Sequence, residues 1–319
     1  MPTIGAYTAF GLGAESTHGT AVARTNWLPA RAWGLQRRLE LVPRAHLGIS
    51  NATAVMRRTV YPSQDYSNGP VSHDGSYDDS TALLMYYGFG AVVDAGVGPY
   101  THTYTLAGPA LLGFTAEGKK GHGANAKSEV FEGCLIARQT YRVQTGKILE
   151  ISNEIIAETS AGEAAQGTPT YATAAEAIAY NHWGAFTFDS VARTLISLEW
   201  TIDRMISERL RLGSLNSPLP APTGFTRVTG RMVVEHGDGG VWYSKHLAQT
   251  QGDGTITATG SGGSLAMTFQ NMVLMKRDNE VSDPGVNQES YDFECFSDGT
   301  DLGCKAILTN TNALYSDNS

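Results

Sequence analysis

LISLEWTIDRMI, residues 195–206, alternates between apolar and polar side chains with a period of two. Ile196, Leu198, Trp200 and Ile202 share one face of an extended strand, and Ser197, Glu199, Thr201 and Asp203 share the other. A helix would scatter the same apolar residues around its circumference. The spacing therefore predicts a half-buried antiparallel strand with one dry face and one wet, acidic face.

The same pattern recurs in FEGCLIARQTYRVQTGKILEISNEIIA, residues 131–157. Two extended runs flank Thr145-Gly146, a compact turn pair, and predict a long β-hairpin. In its second arm Leu149, Ile151 and Ile155 oppose Glu150, Ser152 and Glu154. These apolar residues join Ile196, Leu198, Trp200 and Ile202 as the expected core. Further strands are expected at Leu35–Val42, Val71–Tyr77, Tyr100–Leu106 and Leu111–Thr115. DDSTALLMYYG, residues 78–88, reads as a short helix with Ser80 as N-cap, Asp78 and Asp79 at the positive end of the dipole, and Gly88 as terminator. EGKKGHGANAK, residues 117–127, reads as a surface turn. The expected class is mainly β, an antiparallel β-sandwich or barrel-like fold with short helices.

A chain of 319 residues accommodates one large domain or two smaller ones. The stretch 158–177, rich in Ala, Gly, Thr and Glu, is the natural linker. The expected organisation is an N-terminal arm 1–30, a first β-domain 31–157, a linker 158–180 and a second β-domain 181–319. The second half restates the first: Leu39-Glu40-Leu41 answers to Leu198-Glu199-Trp200, Gly75 to Gly230, and Tyr100–Thr103 to Thr255–Ala258. Two tandem copies account for these matches, with chance alignment of generic strands as the alternative.

Composition narrows the function. Lys and Arg total 23 against 31 Asp and Glu, a net charge of −8, and no basic run grips phosphates, which disfavours tight nucleic-acid binding. The N-terminus lacks the basic start and apolar run of a signal peptide, and no stretch approaches the ~20 apolar residues of a membrane span, so folding in a cytoplasm and no membrane partner are expected. The eight His form no HExxH or Cys-His cluster, and neither a GxSxG elbow nor a Walker loop is present. No metal, no cofactor and no enzymatic activity are expected. The three cysteines are expected to be reduced structural residues, with a Cys295–Cys304 bridge as the alternative. Arg44–Asn68 is a long polar connection of the kind that is functional or ordered by a partner.

Gly13-Ala14-Glu15-Ser16-Thr17-His18-Gly19-Thr20, followed by Leu28-Pro29, resembles the "GxExxxGT" signature of the tail tube proteins of long-tailed bacteriophages. Phe131-Glu132-Gly133-Cys134 and Gly146-Lys147-Ile148-Leu149 are similar to that family's "YEGC" hairpin and "G-I-L" turn, with Phe in place of Tyr and Lys147 interposed. Thr229-Gly230-Arg231-Met232 is similar to its second-half "TG" strand. The resemblance implies β-sandwiches whose inner sheets join around a ring, rings stacked into a hollow conduit for double-stranded DNA ejected into the host cell, contacts with other tail proteins at the tube ends, and a place in the virion tail. It further implies trimeric, pseudo-six-fold rings where one chain carries two tube domains, and hexameric rings where it carries one.

Physical chemistry suits that role. Ring closure pairs strand edges that would otherwise be exposed. Acidic faces repel a passing polyanion within a screening length of roughly 8 Å. Glu150, Glu154, Glu199 and Asp203 are the expected lumen-facing acids, with an outer solvated face as the alternative. The Arg44–Asn68 loop is the candidate for inter-ring contacts through Arg57, Arg58, Tyr61, Asp65 and Tyr66. A competing class is a secreted or surface β-sandwich binding module that recognises carbohydrate or protein.

Overall fold

A computed structural model of the chain describes residues 9–44, 59–106, 113–120, 127–164, 168–169, 176–208, 220–235, 240–278, 287–297, 299 and 302–312. The first half runs β1 (Ala9–Ala14), β2 (Asn26–Leu28), β3 (Ala30–Trp33), β4 (Gln36–Arg44), β5 (Thr59–Asp74), helix α1 (Asp79–Phe89), β6 (Gly90–Ala95), β7 (Tyr100–Leu106), β8 (Phe114–Lys120), β9 (Lys127–Gln144), β10 (Glu150–Ala157) and β11 (Thr159–Ala164). The second runs β12 (Phe186–Phe188), β13 (Val191–Arg193), β14 (Leu195–Asp203), β15 (Ile206–Ser207), β16 (Ala221–Pro222), β17 (Arg227–Glu235), helix α2 (Val241–Leu247), β18 (Gly252–Gly260), β19 (Gly263–Asp278), β20 (Gln288–Cys295) and β21 (Cys304–Asn310).

Eight strands form one broad antiparallel sheet in the order β4–β5–β10–β9–β14–β17–β20–β19, with β3 continuing β4 along β5. Strands β9 and β19 each bend, and their N-terminal halves pass into a second layer. There β9 lies between β8 and β11, with β1 and β2 beyond β8. In the same way β19 lies between β18 and β21, with β12 and β13 beyond β18. Gly133, with φ 63°, and Asn271, with φ 47°, sit at the two bends in the left-handed region that glycine and asparagine tolerate best. The layers enclose one apolar core. Trp200 stacks on Tyr141 of the neighbouring strand at 4.8 Å and meets Phe269 of the second layer edge-on at 5.6 Å. The sheets stay open, so the architecture is a sandwich and not a closed barrel.

Each half supplies its four strands of the broad sheet in the same order, β4–β5–β10–β9 and β14–β17–β20–β19, with a helix after the second strand. Irregularities coincide as well. The ladders skip Arg31 in β3, which extends β4 along β5, and Ile196 in β14, and they skip Ala137 and Met275 in the fourth strand of each set. Gly69 and Gly230 occupy the same crowded place in the second strand, where an added Cβ would fall 2.2 Å from the Gly34 carbonyl oxygen and 2.6 Å from that of Glu199.

These positions correct the expected offsets. The skipped residues Arg31 and Ile196 lie 165 apart and the bends 138 apart. Leu35, packed beside Gly69, stands where Trp200 stands opposite Gly230, whereas Leu39 and Leu41 lie further along an exposed hairpin. Gly69 takes the place expected for Gly75. Tyr100–Thr103 does not take the place of Thr255–Ala258 either: β7 pairs with β6 and, across the halves, with β21, while β8 occupies the position corresponding to β18.

Several local expectations also change. Asp78, and not Ser80, caps α1, its Oδ1 accepting from the amides of Ser80 at 3.2 Å and Thr81 at 3.4 Å. Gly90 ends that helix with φ 94°, while Gly88 packs against Gln139. The expected arm is woven into the second layer through β1 and β2, burying Phe10, Leu12, Trp27 and Leu28. Of the expected surface turn 117–127, residues 117–120 belong to β8 and Lys127 begins β9, while 121–126 lie outside the described residues; the expected linker begins with strand β11. Leu149, Ile151, Ile155, Leu198, Trp200 and Ile202 are buried. Ile196 is only half-buried, because the ladder skips it and its side chain leaves the core face.

Candidate assembly surfaces

The face of the broad sheet turned from the core brings Glu150, Glu154, Glu199 and Asp203 together. It is laced with cations and not purely acidic. Antiparallel register sets Arg142 opposite Glu199 and Arg138 opposite Asp203. Arg142 Nε donates to Glu199 at 2.7 Å, Arg138 Nη2 donates to Asp203 at 2.8 Å, and Arg138 also lies 3.5 Å from Glu154. Arg31 stands 3.3 Å from Asp74 and 3.7 Å from Glu150. In the second half Arg227 pairs with Glu294, and Arg231 lies near Asp278 and Asp292. Hydrogen bonds to Asp203 and Glu199 raise the pKa values of Arg138 and Arg142 above the ordinary arginine value. These pairs are half-exposed, so each contributes on the order of 0.2–1 kcal/mol. The period-two spacing of Arg138, Thr140 and Arg142 in β9 was the sequence signal for the missed cations.

From Tyr66 back to Thr59, β5 pairs among the described residues with β4 alone, its ladder with β10 having ended at Ser67. Leu39, Leu41, Val42 and Tyr61 are exposed on this β4–β5 hairpin. Of the expected inter-ring residues, Tyr61 faces solvent, but Asp65 is held inside the hairpin by Arg37 Nε at 2.7 Å. The Tyr66 hydroxyl donates to Glu40 Oε1 at 3.3 Å, and partial burial followed by the Glu40 charge pushes its pKa up. Arg57 and Arg58 lie outside the described residues. The expected loop 44–68 is strand from Thr59 onward.

A third feature joins distant segments. Buried Glu15 accepts from the Gly133 amide and the Thr115 hydroxyl through Oε1, both at 2.9 Å, and from the Gly19 amide through Oε2 at 2.8 Å. The segments Gly13–Thr20 and Phe131–Cys134 thus meet at the bend of β9. Burial, then the Glu15 and Glu158 charges, raise the pKa of neighbouring Glu132.

Among the described residues no group of three or more His, Cys, Asp and Glu side chains could hold a metal ion, and no helix is long and apolar enough to cross a membrane. Cys134, Cys295 and Cys304 are free and buried, and burial pushes their thiol pKa values up. The sequence pattern of the family described as phage tail tube protein matches residues 5–295. No curated protein matches the chain.

Proposed function

This chain belongs to the phage tail tube protein family, and on that premise we propose that it builds the tube as rings of tandem β-units stacked into a conduit for double-stranded DNA. As a tail tube protein it is a structural component of the virion tail. The observation that carries the proposal is the repeated strand order, which leaves two ladder edges of the broad sheet unpaired among the described residues: β4 at one end and the last turns of β19 at the other. Long unpaired edges invite association with further strands, and a closed ring removes them. Two units per chain favour three chains in a pseudo-six-fold ring, with six chains as the alternative.

The charged face is the proposed channel wall. Its arginines already have carboxylate partners, so a passing phosphate gains little by binding them, and little counterion release rewards a stop. DNA then transits without specific recognition, and other tail proteins cap the tube ends.

Electron microscopy of the purified protein, with native mass spectrometry of its smallest closed species, tests this. Hollow rings or rods built of three chains are expected. Six-chain rings would remove the tandem-unit interpretation of the symmetry, and dispersed monomers at all concentrations would overturn the tube assignment.

A further inference from the structure

The seam between the two halves is itself a joint between tube units. At this seam β9 of the first half pairs with β14 of the second. In the repeated strand order β19 corresponds to β9, and β4 corresponds to β14. The free edges at the two ends of the sheet are therefore the same two surfaces that already meet in the middle. We infer that β4 of one copy pairs with the last turns of β19 of a second copy, in the register dictated by the internal seam. This inference rests on the tube reading and adds the partner, the edge and the residue pairing.

The shared irregularities fix the register. Arg31 corresponds to Ile196 and Met275 to Ala137, because the ladders skip them. Counting from these positions, the internal pairs Thr201–Thr140, Ile202–Gln139 and Asp203–Arg138 become Gln36 opposite Asp278, Arg37 opposite Arg277, and Arg38 opposite Lys276 of the second copy. Local carboxylates offset the like charges: Arg37 binds Asp65, Arg277 binds Glu289 at 3.0 Å, and Lys276 binds Asp278 at 2.9 Å.

Apolar side chains supply an independent argument. At the internal seam Leu135, Ala137, Ile156 and Ile206 form a small buried cluster, with Ala137 and Ile206 each 7% exposed. The same count places Met275 where Ala137 stands. Leu41 follows the last counted pair on β4 as Ile206 follows it on β14, although β14 ends at Asp203 and the chain turns at Met205 (φ 51°) where β4 runs on through Arg44. In the isolated chain Met275 and Leu41 are 53% and 54% exposed. Each therefore lacks a cover that the other, arriving on a second copy, provides. Arg204 repeats the logic: at the seam its amide donates to the Ala137 carbonyl at 2.9 Å, and its guanidinium to the Phe89 carbonyl at the end of α1. Its counterpart is Leu39, exposed and apolar, and the end of α2 that Leu39 would meet exposes Leu247. A polar contact in the seam answers to an apolar one between copies.

The hydroxyls of Thr140 and Thr201 approach to 2.9 Å across the seam, so side chains at their counterparts face one another closely enough to be bridged. A full-length chain carrying Gln36→Cys with Asp278→Cys, oxidised during assembly, is expected to give a covalent ladder of dimers and closed rings on non-reducing gels. Gln36→Cys with Lys276→Cys, slipped by two residues, is expected to crosslink at least tenfold more slowly. Faster crosslinking of the slipped pair, or rings without crosslinks in either, overturns the register while leaving the tube reading in place. Wild-type chains that stay monomeric at every concentration overturn both. Leu41→Asp and Met275→Asp, each at an exposed position, are expected to leave the monomer's melting curve unchanged and abolish ring formation. Normal rings from either variant overturn the joint.

Discussion

The amide of Gly133 donates to Glu15 Oε1 across 2.9 Å, joining residues 118 positions apart at the bend where β9 leaves one layer for the other. Glu15 also holds Thr115 and Gly19, so a single carboxylate satisfies three donors. Glu15→Ala is expected to cost about 3 kcal/mol or more, since buried donors lose their acceptor. Gly133→Ala is expected to cost about 2–4 kcal/mol, because a Cβ at φ 63° is strained and would fall 2.9 Å from the Glu158 Cβ. Urea denaturation of each variant measures this, and midpoints within error of wild type would refute the role of the pair.

His73 points from β5 into the core, and among the described residues neither ring nitrogen has a hydrogen-bond partner. Burial lowers its pKa from 6.5 to about 4. The folded imidazole stays neutral, and as pH falls below 6.5 the unfolded chain takes up the proton first. Stability is complete above pH 6.5 and is lost as pH falls from 6.5 towards 4, by up to about 1.4 kcal/mol per unit and about 3 kcal/mol in all. The second half carries buried Val234 at the corresponding place. His73→Val is expected to flatten the slope between pH 4 and 6.5. Parallel stability–pH curves for the two proteins would assign the acid sensitivity elsewhere.

LISLEWTIDRMI was legible as a strand because its period of two is independent of context, and Leu198, Trp200 and Ile202 lie where that period puts them. Ile196 was not, since a skipped ladder position is set by partner strands and leaves no mark on one strand's alternation. The likeness in strand order between the two halves was visible as a tendency, but the alignment of their strands was hidden. The inserted β6–β7 hairpin changes the spacing between equivalent strands, and the likeness of Leu39-Glu40-Leu41 to Leu198-Glu199-Trp200 offered a false anchor. The role of Glu15 was legible only as a motif letter, because its partners come from β8 and β9, far along the chain.

Glu199→Lys with Asp203→Lys is expected to leave folding and ring assembly intact. The ion pairs they break contribute at most about 1 kcal/mol each, and the Met205 amide, which donates to Asp203 Oδ1 at 2.9 Å, lies at an exposed position where water replaces the acceptor. The double change leaves Arg142 without its hydrogen-bonded carboxylate and Arg138 with Glu154 as its near anion. A wall with free cations should retain DNA, with a retention that falls as salt rises. Slower DNA ejection from particles carrying both changes is the expected outcome, and ejection at the normal rate would remove this face from the channel.

The β4–β5 hairpin offers a separable test of stacking. Arg44 and Thr59 are directly paired, so Asn-Gly in place of residues 45–58 closes the hairpin with a two-residue turn suited to antiparallel strands. A wider excision through Asn68 would also remove Ser67 and Asn68, which pair with Ala157 and Ile156 in β10, and would confound stacking with folding. The shortened chain retains every strand of the broad sheet and both of its free edges. It is therefore expected to melt within about 1 kcal/mol of wild type, since loop closure becomes easier and no described contact is lost. Ring closure should persist while rings fail to stack, giving discs in place of rods by electron microscopy. Tyr61→Ala, a single exposed position on the same hairpin, should weaken stacking in the same direction without changing ring size. Rods of ordinary length from the shortened chain would show that the inter-ring contacts lie on another surface.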